Sequence, residues 1–265
     1  MLTDEQMAQF ELHGLLPLPR TVPMAEAQAM RDRLWAFLSF THGRRSDDPA
    51  TWEPIEGRTG FKTLMRTGAF DGLSAYLSEP ITDLLGTTWA PPAHWGHPLV
   101  TFPDPDQQWA IPARRWHVDS TQWSTGAVPG VVAFTFLDEV RPRGGGTLVM
   151  AGSHRLTWQL CLQAGGFMKT NSMKAVLADR HSWFADLWRE PVTGEDQLRR
   201  YLDEGADIEG THVRVVELCG RPGDVVLMNQ RMLHVAAPNT LDTPRMMLSD
   251  FITRNPDGEP DSNYA

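Results

Sequence analysis

His117 and Asp119 stand two residues apart in the segment RWHVDS. In an extended chain the side-chain period of two puts both on one face, so an imidazole and a carboxylate can reach the same ion. Two ligands do not make a site. A third is offered by His234 in NQRMLHVAAPN, after the turn-forming RPGD and the apolar run VVLM, where a barrel strand would return to the same cavity. Two histidines and one carboxylate cover one face of an octahedral ion and leave three positions open, the arrangement that suits an iron(II) oxygenase. His94, His97, His154, His181 and His212 are rivals, but none sits in an HxD or HxxxH pattern, which fits surface or satisfied core positions.

Arg245 lies eleven residues beyond His234, after the turn-rich PNTLDTP and at the head of the apolar run MMLSDFI. A hairpin there would bring its guanidinium beside the ion, in place to grip the far carboxylate of a dicarboxylate bidentately. Of the ten tryptophans, Trp109, Trp116 and Trp123 cluster around the HxD triplet. Core packing is the ordinary use of tryptophan. Trp123, four residues after Asp119, is the one expected to face a substrate, with Trp109 on the loop approaching it and Trp183 in a segment that could close over it or form a dimer surface.

These residues need elements to position them. Thr3 and Gln6 fit a capping box, with Leu2 and Met7 as its hydrophobic staple, and the helix should stop near Gly14. A second helical stripe takes in Met24, Met30, Leu34, Phe37 and Leu38, and a third runs from about Gly72 to Leu85, broken near Pro80. Residues 1–98 thus read as mostly helical, packing on a sheet. From Leu99 the texture changes to short apolar runs between Gly and Pro: LVTF, RWHVD, VVAFTFL, TLVM, HVRVVEL, DVVLM and RMMLSDFI. Barrel strands are expected over 99–155 and 211–255. Residues 156–210 read as a helical insertion, with a cap at Thr193. Gly144 to Gly146 permit a tight turn, and Gly152 to Arg155 should close a strand. Many short strands without alternating helices indicate a single domain over 1–265 of mainly β class with flanking helices, an antiparallel double-sheet jelly-roll or cupin-like barrel.

Composition narrows the partners. With 24 basic against 33 acidic residues the formal charge is −9, a poor match for a phosphate backbone, so a small-molecule substrate is expected and nucleic acid is not. The acidic start MLTDEQMAQF lacks a signal-peptide pattern and no long apolar run occurs, so the expectation is a soluble, cytoplasmic monomer or homodimer that does not enter membranes. Cys161 and Cys219 are far apart and form no CxxC pair.

Four blocks taken together resemble the phytanoyl-CoA dioxygenase family: LTDEQMAQFELHGLLPL, WHVDS, GGGTLVMAGSHR, and RPGDVVLMNQRMLHVAAPN followed by PRMMLS. Their order and spacing are more specific than any one block. The resemblance implies a double-stranded β-helix core, an Fe(2+) centre at its mouth, and 2-oxoglutarate and O2 as co-substrates. It carries over His117, Asp119 and His234 as ligands and Arg245 as the 2-oxoglutarate anchor, with Lys62 in GFKTLM and Phe134 in VVAFTF as further co-substrate contacts. The sequence departs at Ala236, where some members have a hydroxyl that binds the co-substrate, so another donor is needed. Related halogenases carry a small residue in place of Asp119, and the carboxylate here disfavours halogenation. The implied reaction is oxidation of a small-molecule C–H bond, most simply hydroxylation, with release of succinate and CO2. A cupin-like sensor without turnover and a zinc hydrolase remain as alternatives.

Overall fold

Thr3 and Gln6 cap α1 (Asp4–His13) reciprocally: the Thr3 amide donates to Gln6 Oε1 at 2.9 Å and the Gln6 amide to Thr3 Oγ1 at 3.2 Å. Gly14, at φ +73°, ends the helix and turns the chain into β1 (Leu15–Leu18). The fold comes from a computed structural model, which describes residues 1–55, 60–104, 106–120 and 128–254. Helix α2 (Met24–His42) buries Ala27, Met30, Leu34 and Leu38. Met24, expected on that stripe, is exposed, and burial on α2 begins one turn later at Ala27.

After the short α3 (Phe61–Arg66), α4 (Ser74–Leu85) runs through Pro80 and is not broken there as the sequence led one to expect. A proline inside a helix costs about 3 kcal/mol through a lost hydrogen bond and a clash. Leu77, Ile81, Leu84 and Leu85 are buried on the same helix, and at roughly 1.5–3 kcal/mol for each buried side chain their contribution exceeds that cost.

The strands form two antiparallel sheets. One has the order β1-β7-β3-β9-β2, using β2 (His97–Thr101), β3 (Gly130–Phe136), β7 (Val225–Asn229) and β9 (Arg245–Thr253). The other has the order β5-β6-β4-β8, using β4 (Thr147–Ala151), β5 (Ala206–Ile208), β6 (Thr211–Glu217) and β8 (His234–Ala236). Val132, Phe134, Met228 and Met247 from the first sheet pack with Val149 and Ala151 from the second, so the sheets lie face to face. The outer side of the five-stranded sheet carries Val131, Ala133, Leu227 and Leu248 against α2 and α4. The outer side of the four-stranded sheet carries Leu148, Met150, Val213 and Val215 against α5 (Ser153–Gln163), α6 (Thr170–Arg180), α7 (Ser182–Leu187) and α8 (Glu195–Arg199). Both faces of β3, β4 and β7 are therefore covered, and their sequences are almost continuously apolar. The result is the jelly-roll or double-stranded β-helix architecture with flanking helices.

Three local expectations change. RWHVD is not a strand: Arg115 has φ +68°, and the segment is tied by a single bridge, His117 to His234, and by the Asp119 amide to the Gln230 carbonyl. Gly152, at φ +83°, closes β4 and at once caps α5, where an added Cβ would lie 2.3 Å from the His212 carbonyl oxygen. The cap of α8 is Gly194 and not Thr193, so the cap carries no side-chain bond, and the helix is held by burial of Leu198.

Candidate metal centre

His234 lies on β8 opposite Val149, and Val149 faces the interior between the sheets, so the period of two turns His234 inward while Leu233 and Val235 pack outward. The facing segment follows the same rule without being a strand: Trp116 and Val118 are buried in the outer layer, leaving His117 and Asp119 on the opposite side. Backbone bonds hold it in place. His117 and His234 exchange both amide-to-carbonyl bonds, at 3.0 and 2.9 Å. The amides of Asp119 and Ser120 both donate to the Gln230 carbonyl, at 3.0 and 3.1 Å. Gln230 is itself fixed by Nε2 donation to the Ile252 carbonyl at 3.1 Å.

One donor atom from each of His117, Asp119 and His234 lies within 4.8 Å of the others. His117 Nε2 is 3.9 Å from Asp119 Oδ1 and His234 Nε2 is 3.4 Å from Asp119 Oδ2. Each ring is oriented by its own backbone: Nδ1 of His117 donates to the Arg115 carbonyl at 2.9 Å, and Nδ1 of His234 to the Met232 carbonyl at 3.1 Å. A carbonyl can only accept, so the proton sits on Nδ1 and the lone pair of Nε2 faces the cluster, as metal-binding histidines require. Burial pushes the His234 pKa down against the opposing pull of Asp119, which favours the neutral ring. These donors fit a divalent ion.

Arg245 reaches the interior by a route the sequence did not show. No hairpin joins β8 to β9; the link crosses from the four-stranded sheet to the five-stranded one. Arg245 pairs with Thr101 across β2 and shares its face with Met247, which packs between the sheets. Arg245 is 5% exposed, Nη1 donates to the Gly145 carbonyl at 2.8 Å, and Nε has no hydrogen-bond partner among the described residues. Burial lowers its pKa to about 10, so it stays cationic at neutral pH.

The other candidates are dispersed. Phe134 lies on the inner face with Met247, buried. Lys62 is exposed on α3, whose buried residues are Phe61 and Leu64. Trp109 and Trp183 are each 6% exposed and belong to the apolar layer outside the four-stranded sheet, Trp183 against the rings of Phe184 and Tyr201 and Trp109 under the guanidinium of Arg143 at 5.9 Å. Trp123 lies outside the described residues. His154, one of the rival histidines, is buried with Nε2 bonded to the Glu11 carbonyl at 3.0 Å, and burial lowers its pKa to about 4. No motif pointed to Gln230 as the support of the Asp119 segment, or to Thr147, whose buried side chain stands across the strand pair from Ala236.

Among double-sheet barrels, an inward pair of histidines with a carboxylate and three open positions marks the 2-oxoglutarate-dependent dioxygenases, enzymes that work with iron(II). The chain belongs to the phytanoyl-CoA dioxygenase family, which it matches over residues 10–247. It is similar in structure to AviO1 from Streptomyces viridochromogenes Tue57, at 18% identity and a TM-score of 0.58 over 98% of this chain and 99% of that one. SnoK, a non-haem alpha-ketoglutarate-dependent carbocyclase of nogalamycin biosynthesis, aligns at 19% identity and a TM-score of 0.54, covering 95% and 84%. HygX from Streptomyces hygroscopicus, seen with nickel and 2-oxoglutarate bound, aligns at 17% identity and a TM-score of 0.51, covering 96% and 87%. No curated protein matches the chain in sequence.

Proposed function

We propose that this enzyme hydroxylates a C–H bond of a small specialised metabolite in the cytoplasm, with His117, Asp119 and His234 as iron ligands and Arg245 as the 2-oxoglutarate anchor. The observation that carries this reading is the pairing of the triad with a buried, incompletely bonded arginine on the same interior. Arg245 is held at 5% exposure with Glu217 as the carboxylate whose field reaches it, and its Nε has no partner among the described residues; a planar guanidinium so placed fits a further carboxylate. Iron(II) held by His117, Asp119 and His234 would supply the coupling of O2 reduction to oxidative decarboxylation of 2-oxoglutarate, with substrate, O2 and 2-oxoglutarate giving hydroxylated product, succinate and CO2.

The chain's own groups orient and shield. The two Nε2 atoms and the Asp119 carboxylate would hold the ion through three protein ligands and leave its other positions to exchangeable ligands. Arg245 holds the distal carboxylate, and the hydroxyl missing at Ala236 is replaced by Thr147 across the strand pair or by Thr101 opposite Arg245. Phe134 and Met247 wall the interior and exclude water. Lys62 would have to reach in from the exposed side of α3, so the distal carboxylate is assigned to Arg245. No side-chain base is needed. The place of SnoK in nogalamycin biosynthesis supports a specialised-metabolite substrate, and the charge of −9 favours a small molecule over nucleic acid.

Anaerobic addition of iron(II) and 2-oxoglutarate to metal-stripped protein should give a visible metal-to-ligand charge-transfer band, and His117→Ala should abolish both band and succinate release. A reconstituted wild type without the band would overturn the oxygenase reading. Product mass in a substrate screen read by succinate then identifies the oxidation.

A further inference from the structure

We propose that Glu217, acting through the glycine turn at 143–146, is a positioning residue for Arg245 and thereby sets the pocket's preference for a 2-oxo acid with a distal carboxylate. The inference rests on the anchor reading above. The turn is gripped from two sides. Glu217, at the end of β6, accepts the Arg143 amide on Oε2 at 2.8 Å and the Gly146 amide on Oε1 at 3.1 Å. Arg245, from the opposite sheet, donates to the carbonyl of Gly145, which lies between those two amides. Nothing larger than glycine fits at these positions: Gly145 has φ +80° and a Cβ there would lie 2.9 Å from Asn239 Cβ, while one at Gly146 would lie 2.3 Å from the Leu218 carbonyl oxygen. The Gly145 carbonyl is therefore set by the carboxylate that holds its flanking amides.

Asn239 locks the other side of the arrangement. It bridges to Gly144, and its Nδ2 donates to the carbonyls of Thr101 and Thr243, the first opposite Arg245 and the second two residues before it. Glu217 is also the anion whose field reaches Arg245, and its own burial raises its pKa. Two effects oppose each other when Glu217 is altered: loss of its charge favours an incoming anion, while loss of its two acceptors frees the turn. A bidentate ion pair depends on geometry more than on net field, so the second effect governs.

The two variants Glu217→Gln and Glu217→Asp separate these effects. A glutamine has one acceptor oxygen for two amides, and an aspartate keeps the charge but is one methylene too short to serve both. On manganese(II)-loaded protein, calorimetry would give dissociation constants for 2-oxoglutarate and for 2-oxopentanoate, which lacks the distal carboxylate. Both variants should lose about tenfold of the wild-type preference for 2-oxoglutarate, a change of about 1.4 kcal/mol, with manganese(II) affinity and melting temperature near wild type. A preference that stays at the wild-type value in both variants, or that rises in Glu217→Gln as simple repulsion would require, overturns the proposal. Arg245→Met is the control: if it leaves the preference intact the anchor reading itself fails, whereas a loss there with unchanged Glu217 variants removes only the positioning role.

Discussion

Single residues in this fold place ionisable groups where neutral side chains would normally stand, and burial shifts their protonation. Asp250 faces the apolar layer between β9 and the helices, where Oδ1 accepts the Gly96 amide at 2.6 Å and Oδ2 has no hydrogen-bond partner among the described residues. Burial, with a smaller contribution from Asp71, raises its pKa from 3.8 to about 7. The folded state thus binds a proton more tightly than the unfolded state. Stability from this group is complete below pH 4 and is lost as pH rises toward 7. Asp250→Asn keeps an oxygen for Gly96 and cannot ionise. Its gain over wild type should be absent near pH 4 and reach about 2–4 kcal/mol at pH 8, read by urea denaturation at the two pH values. An equal difference at both would show that Asp250 is not protonated in the native state.

At the scale of elements, α4 shows how burial overrides a local breaker. Pro80 removes one helical amide from a segment whose Leu77, Ile81, Leu84 and Leu85 are fixed in the core. Pro80→Ala restores that amide without touching the buried face, while giving back some freedom to the unfolded chain. The expected net effect is stabilisation by about 2 kcal/mol in chemical denaturation. Destabilisation would mean that α4 relies on the stiffness the proline gives the chain. The turn at 143–146 has the opposite character, being held by bonds from distant strands and having little apolar burial of its own.

The whole molecule is a four-layer stack in which the metal centre joins parts that the sheets do not. The HxD segment lies outside the hydrogen-bonded strands and is held by backbone bonds to His234 and Gln230. An ion shared by His117, Asp119 and His234 ties that segment to β8. Manganese(II) at a hundred times its dissociation constant should stabilise the native state by about 2.7 kcal/mol, or about 5–10 °C in melting temperature for a domain of this size. Chelation should reverse the shift and His234→Ala should remove it. A shift of wild-type size in His234→Ala would place the ion elsewhere. Among the described residues no helix is long and apolar enough to cross a membrane.

The sequence by itself determined what depends on a few neighbouring residues. The Thr3–Gln6 box, the stop at Gly14, the apolar stripe of α2 and the common side of His117 and Asp119 follow from periods of 3.6 and 2 and from local amide accounting. The family resemblance added the order of the blocks. Only the tertiary structure decided that RWHVD is tied by Gln230 instead of by a strand ladder, that Arg245 arrives from the opposite sheet, and that Trp109 and Trp183 pack outside the smaller sheet. It also brought Glu217 and Arg245 onto one turn, 74 and 100 residues from their respective partners Arg143 and Gly145. Such contacts are set by how two sheets stack and which register their strands adopt. That outcome is a sum of burial over the whole chain, and no short stretch of sequence records it.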